Sequence, residues 1–349
     1  MLIPFEEEYK KKYYSLIDQI FDSNFWSDGK MLALFEEKFS EYANLNSVAL
    51  SNGGTALLSI FHYLNVKNYE VIIPTNTFYA TSVAAKMAGA DIVYADCNRG
   101  DLCISLEDIK KKVNSNTKAV VVVHIGGHIA FEIEEIALFC RQNKIYLVED
   151  CAHSHGATFL KKAAGHWGFA GAYSFYATKT LPLGEGGMVV TKDQDFVDWL
   201  KIYRNYGKKI VNGKVSYPMK DGFNYRMSEF TAALGVVQLE RLPKILDWKR
   251  MLADKYDKIF SNRVHFPPGM ESGFYKYIVF DYSLKHETGK VFSYSDFGHA
   301  IDGTDKQKSV SFPNSDWISE HHKCPPIYLG WEHAEKTTDE LRYLLIGKQ

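Results

Sequence analysis

"EVIIPTNTFYATSVAAKMAGADIVYAD", residues 70–96, reads as a strand, a helix and a second strand. EVIIP (70–74) is apolar and β-branched, and Pro74 stops it. ATSVAAKMAG (80–89) has helical spacing and closes on a glycine cap signal. DIVYAD (91–96) is a strand again. Two strands joined through a helix are the repeating unit of a parallel sheet.

The alternation extends both ways. Upstream lie a short strand, SVAL (47–50), and a helix, TALLSIFHYL (55–64). Downstream, SLEDIKKKV (105–113) opens with a Ser-x-x-Asp cap, KAVVVVHI (118–125) is a buried strand, and FEIEEIALFCRQN (131–143) is an amphipathic helix. IYLVED (145–150) is a buried strand ending in two acids. The expected fold class is α/β, a mostly parallel sheet between helices. Ligands in such sheets bind at the carboxyl ends of the strands, where Glu149 and Asp150 lie.

The first 50 residues read as charged-faced helices. A long helix, broken near Pro243, is expected from 226 to 250. It carries the chain from a large domain (1–245) to a smaller α+β domain (246–349). There GFYKYIVFDYSL (273–284) reads as a strand and TTDELRYLLIG (337–347) as the last helix. Residues 285–325 give no clear pattern.

Composition narrows the function. The chain has 349 residues and a formal net charge of -1, which argues against nucleic acid or an anionic membrane as its main partner. Its five cysteines are odd in number and widely spaced, and no CxxC occurs, as in a reduced cytosolic protein. The start, MLIPFEEEYKKKYY, has no signal-peptide core, and AVVVV (119–123) is too short to cross a bilayer. A cytoplasmic location is expected.

Candidate site residues cluster in EDCAHSHGATF (149–159) and AYSFYATKTLPLGEGG (172–187). Asp150 is either a turn acid or the partner of a protonated ring nitrogen. Lys179 is either a solvated charge or a desolvated, nucleophilic amine. Ser174 is either a strand hydroxyl or a phosphate ligand. SNGGTA (51–56), with Gly54 and Thr55, joins a strand to a helix N-terminus. Its glycines make a turn or let amides approach a phosphate, without Walker or GxGxxG spacing. Phe78 is either core or a stacking platform, and Asn224 by default caps the helix that follows it. His153 and His155, and His321, His322 and Cys324, fit no standard zinc spacing, so no metal is expected.

The order of these stretches carries more than any one of them. Over residues 25–245 the chain resembles the DegT/DnrJ/StrS sugar aminotransferases, a branch of the fold-type I pyridoxal phosphate (PLP) enzymes. The resemblance rests on SNGGTALLSI, EVIIPTNTFYATSVAAKMAGADIVYAD, VEDCAHSHGA, GAYSFYATKTLPLGEGGMVVT and GFNYRMSEFTAALGVVQLERL. It implies a seven-stranded sheet, a PLP cofactor, L-glutamate as amino donor and a nucleotide-linked keto-deoxysugar (a 3- or 4-keto hexose) as acceptor, in polysaccharide or glycoside biosynthesis. Lys179 matches the lysine that holds the cofactor as a Schiff base and then moves protons. Asp150 matches the acid at the pyridine nitrogen, Phe78 the aromatic stacked on the ring, and His153 the Gln/His position near the ring hydroxyl. Ser174, Gly54 and Thr55 match the phosphate cradle. Asn224 matches an asparagine that reaches the phosphate of a neighbouring subunit, which implies a homodimer with shared sites. The usual NGTxAL reads NGGTAL here, which leaves open which hydroxyl meets the phosphate. Other readings are a PLP-dependent sugar dehydratase, which in this family carries histidine in place of the lysine, a non-catalytic regulatory relative, and an unrelated metal hydrolase.

Overall fold

The computed structural model describes residues 5–291, 311–327 and 335–347. Its centre is a seven-stranded sheet, described with its neighbours in chain order. The strands are β1 (Asn46–Leu50), β2 (Glu70–Pro74), β3 (Asp91–Ala95), β4 (Thr117–Val123), β5 (Tyr146–Asp150), β6 (Thr158–Phe159), β7 (Lys162–Ala163), β8 (Ala170–Ser174) and β9 (Gly187–Thr191). The large sheet runs β1-β9-β8-β5-β4-β2-β3, and β6, β7 and the strand Met270–Glu271 form a small three-stranded sheet apart from it. Pairings from β8 through β5, β4 and β2 to β3 are parallel. Only β9 runs antiparallel to both neighbours. The four central strands are buried almost throughout, which explains their uniform apolar runs.

The helices are α1 (Glu7–Ser23), α2 (Lys30–Ala43), α3 (Gly53–Tyr63), α4 (Ala80–Met87), α5 (Leu106–Lys112), α6 (Ile133–Gln142), α7 (Gln194–Tyr203) and α8 (Glu229–Asp257). Ser105 caps α5 as its motif predicts, accepting from the Asp108 amide. Two expectations fail. Pro243 does not break α8, which runs unbroken for 29 residues with the proline inside it. The segment 273–284 holds only a two-residue strand, Val279–Phe280, paired with His322–Lys323. Its other backbone amides serve loops: Gly273 and Lys276 donate to Gly127 and Gly126 at 2.7 and 2.8 Å.

Residue 245 lies inside α8, so that helix passes through the expected domain boundary. Beyond it a second apolar cluster gathers Trp248, Leu252, Tyr256, Phe260, Tyr277 and Leu341. The last helix, Thr338–Leu345, starts at a capping box on Thr337 and Glu340. Among the described residues no helix is long and apolar enough to cross a membrane.

Glu149, beside Asp150 at the end of β5, pins the sheet. It is fully buried. Its Oε1 accepts from the amides of Trp167 and Gly168 at 2.8 and 2.6 Å. Its Oε2 accepts from the Gly165 amide at 2.7 Å and pairs with His124 Nε2 at 3.0 Å. His124 Nδ1 accepts from the Ala130 amide, so Nε2 carries the proton that points at Glu149. Glu149, His124 and Cys151 place ligand atoms within 4.8 Å of one another, but each Glu149 oxygen already serves two partners. Glu149→Ala would orphan three buried amides. We expect about 3 kcal/mol or more of lost stability, read as a lower urea midpoint at unchanged slope.

Candidate functional site

The site assembles at the carboxyl edge of the sheet, where β2, β5 and β8 end. Asp150 closes β5. Its Oδ2 accepts from Thr81 Oγ1 at 2.9 Å and its Oδ1 from the Ala152 amide at 3.0 Å. Thr81 lies in the first turn of α4, and its amide donates to Phe78 O at 3.1 Å. One threonine thus ties the loop carrying Phe78 to the acid on β5. Phe78 itself is 41% exposed, its ring 4.3 Å from Tyr79. Burial pushes the Asp150 carboxyl up, while its hydrogen bonds and the charges of Lys179 and His124 pull the other way.

Lys179 stands on the loop between β8 and β9. That loop is closed by Phe175 N to Gly186 O and Leu183 N to Phe175 O, both 2.8 Å, and Lys179 N bonds Tyr176 O at 2.9 Å. Desolvation lowers the Lys179 ammonium to about 8, against an ordinary 10.5. The Asp150 charge opposes this and the Lys276 charge adds to it. Lys179 Nζ sits 4.9 Å from the centre of the Tyr275 ring. On that ring His153 stacks at 4.0 Å and 22°. Burial and the charges of Lys179 and Lys276 keep the His153 imidazole neutral, far below its usual range. Its Nδ1 accepts from the Gly126 amide at 3.4 Å.

The loop at 51–56 covers the β8–β9 end. A methyl group on Gly53 would lie 2.8 Å from Ser174 Cβ, and one on Gly187 would lie 2.2 Å from Asn52 O. Only glycine permits both approaches. Asn52 and Thr55 form a capping box on α3. Thr55 Oγ1 is spent there, donating to Asn52 O at 2.8 Å and accepting from Asn52 N at 3.2 Å. Among the described residues the Gly53 and Gly54 amides have no acceptor. Ser174 Oγ accepts only a long bond, 3.4 Å, from Tyr176 N.

The structure therefore brings Asp150, Lys179 and His153 together and sets Gly54 and Ser174 at one glycine cradle. Asn224 stands apart. It does not cap α8, because Ser228 does, accepting from the Thr231 amide. Asn224 is exposed, bridged to Asn205, and accepts from the Arg226 amide at 3.4 Å. His155 is fully buried among Tyr173 and Phe175, and among the described residues neither ring nitrogen has a partner. Burial lowers it to about 3. Sequence reasoning missed Thr81, Tyr275, Lys249 and Lys276. The last three line the cleft at Lys179, but they sit in stretches that read as ordinary helix and strand.

A seven-stranded, mostly parallel sheet with a lysine loop and an acid at its carboxyl edge defines the fold-type I aminotransferase architecture. Solved structures show the same fold: the aminotransferase TlmJ of Streptoalloteichus hindustanus superposes with a TM-score of 0.85 at 24% identity, covering 98% of this chain and 96% of that one. Helicobacter pylori PseC, an aminotransferase of pseudaminic acid biosynthesis, gives 0.83 at 22% identity, with 97% and 96% covered. The chain belongs to the DegT/DnrJ/EryC1/StrS aminotransferase family, whose profile matches residues 7–290. Among curated relatives, the GDP-perosamine synthase of Vibrio cholerae is 38% identical over 66% of this chain and 62% of its own length. The chain thus spans about three fifths of that relative. The GDP-perosamine synthase of Escherichia coli O157:H7 is 32% identical over 77% of this chain and 73% of its own length. A GDP-4-keto-6-deoxy-D-mannose 3-dehydratase of Escherichia coli O55:H7 is 26% identical over 95% and 86%.

Proposed function

We propose that this protein is a PLP-dependent sugar aminotransferase. It moves the amino group of L-glutamate onto a nucleotide-linked 3- or 4-keto hexose in polysaccharide or glycoside biosynthesis. The observation that carries the reading is a desolvated Lys179 whose charge acts on buried Asp150 at the carboxyl edge of the sheet. The relatives named for perosamine and UDP-amino-sugar synthesis support the substrate class.

The residues fit the cofactor. Gly53 abuts Ser174 so closely that a Cβ would fill the space, and the neighbouring amides are without acceptors, as an oxyanion cradle requires. Asp150 is a buried carboxylate that needs a cation opposite it. Bound PLP supplies an electron sink and a carrier for the amino group.

The protein's own groups then divide the work. The Gly53 and Gly54 amides and Ser174 Oγ hold the phosphate. Thr55 acts through the cap, its hydroxyl taken up by Asn52 rather than by the phosphate. Phe78 offers an aromatic face at the strand end, and neutral His153 would serve the ring hydroxyl. Asp150 holds a proton on the ring nitrogen. Lys179 Nζ, once a free neutral amine, takes the proton from the donor's α-carbon and returns it. Asn224, exposed and away from its own chain's site, suits an asparagine that reaches the phosphate in a second copy. Exposed Phe25, Trp26, Tyr206 and Phe223 suit an interface with that copy.

The dehydratase is the second reading, favoured by the coverage of the Escherichia coli O55:H7 match. A panel of nucleotide keto-sugars with glutamate, read by mass, separates the two. Exchange of ketone for amine is expected, and loss of water instead would overturn the proposal. Mixing inactive Lys179→Ala and Asn224→Ala proteins should restore part of the activity if sites are shared. Mixtures that stay inactive would tell against sharing.

A further inference from the structure

The cleft that opens onto Lys179 has a volume of about 990 Å³ and is walled by α1, the middle of α8 and residues 275–288. Three more lysines line it: Lys10 on α1, which pairs with Glu7 at 3.4 Å, and Lys249 and Lys276. Lys249, on α8, is only 5% exposed. Its Nζ donates to Phe274 O at 2.8 Å and to Thr180 Oγ1, beside Lys179, at 3.3 Å. Lys276 Nζ donates to Thr288 O and Oγ1 at 2.5 and 3.2 Å. Lys276 also shares a ring with Lys179: their Nζ atoms lie 5.6 and 4.9 Å from the centre of Tyr275.

Among the described residues neither Lys249 nor Lys276 has a carboxylate within 4.0 Å. Every acceptor they meet is a neutral carbonyl or hydroxyl. An ammonium has three donors, and Lys249 spends two. A buried cation such as Lys249 is costly without a counter-charge, and Lys276 is half-buried. Here they also repel each other, so that Lys249 is lowered to about 7 by desolvation and by the Lys276 charge. Both side chains are nonetheless held in place by backbone oxygens, which removes most of the entropy cost of fixing them when an anion binds.

We propose that Lys249 and Lys276 form the subsite for a carboxylate of the amino donor. This rests on the aminotransferase reading. Reach favours a carboxylate over a diphosphate. Lys276 flanks the same ring as Lys179, so an anion between them lies close to the carbon on which Lys179 acts. An amino acid's carboxylate is bonded directly to that carbon. In a nucleotide sugar the pyranose ring separates the ketone from the phosphates.

The test measures binding of glutarate, an unreactive dicarboxylate, and of UDP and GDP to the holoenzyme by calorimetry. Lys276→Gln should weaken glutarate about tenfold or more, as loss of a bond to a charged group implies, and leave both nucleotides unchanged. Lys276→Arg should recover part of the loss. Lys249→Gln, checked for folding by its melting curve, should act in the same direction. Unchanged glutarate affinity in both Gln variants overturns the subsite. So does a loss confined to UDP or GDP, which would assign the lysines to the sugar's phosphates. If glutarate binding falls as expected but the wild-type enzyme transfers no amino group from glutamate, the functional reading fails and the carboxylate subsite stands.

Discussion

Lys179→Ala should abolish amino transfer, with a fall of at least about 10⁴-fold, because it removes both the nucleophile and the proton carrier. The backbone around it should survive, since the turn is closed by main-chain bonds of Phe175, Leu183 and Lys179 itself. A readout independent of turnover is available in the cofactor-free protein. The Lys179 value of about 8 places its neutral, reactive form above that pH, well below the range of an ordinary lysine. Labelling of Lys179 by an amine-reactive reagent, read by mass on its own peptide, should therefore rise with pH around a midpoint near 8, where the exposed lysines label only at higher pH. A variant that transfers amino groups normally would end the assignment.

Asp150→Asn keeps the shape of the side chain and removes its charge. We expect a loss of about 10²-fold or more in turnover, the cost of leaving a buried cation unpaired. Stability of the cofactor-free protein should move the other way. Burial raises the Asp150 carboxyl above its unfolded value of 3.8. A raised carboxyl makes the ionised form a liability, one that grows as pH climbs through the unfolded value and levels off above the folded one. The asparagine variant should thus match or exceed the wild type in urea at neutral pH. Its neighbour Glu149 gives the opposite result, because that carboxylate is surrounded by donors. Full turnover in Asp150→Asn would contradict the role proposed for it.

The strand and helix alternation from 46 to 150 was legible because central parallel strands are buried on both faces and read as unbroken apolar runs. The chemistry was legible where a polar residue interrupted such a run, as at Asp150, or stood alone among aromatics, as at Lys179. What depends on contacts between distant segments was not. Thr81 earns its place only because α4 starts beside the end of β5. Glu149 and Asp150 are adjacent and alike in sequence, and only the loop 165–168 separates their tasks. The segment 273–284 has the composition of a strand, yet its amides answer to Gly126 and Gly127 across the sheet edge. Pro243 stays helical because tertiary packing on both sides of it holds α8 together.

The pairing of β1 with β9 sets an order of assembly. Leu50 lies opposite Gly187, so the turn at 51–54 finds its seat on the sheet only when the strand after the lysine loop is in place. A ribosome that has released β1 to β5 has made the parallel sheet β5-β4-β2-β3, with the β5 edge uncovered and the turn at 51–54 unseated. The contacts that complete it are among the most distant in the sheet, and such closures are slow. Newly made chains accordingly seat the 51–54 turn late, in the same event that covers the exposed sheet edge.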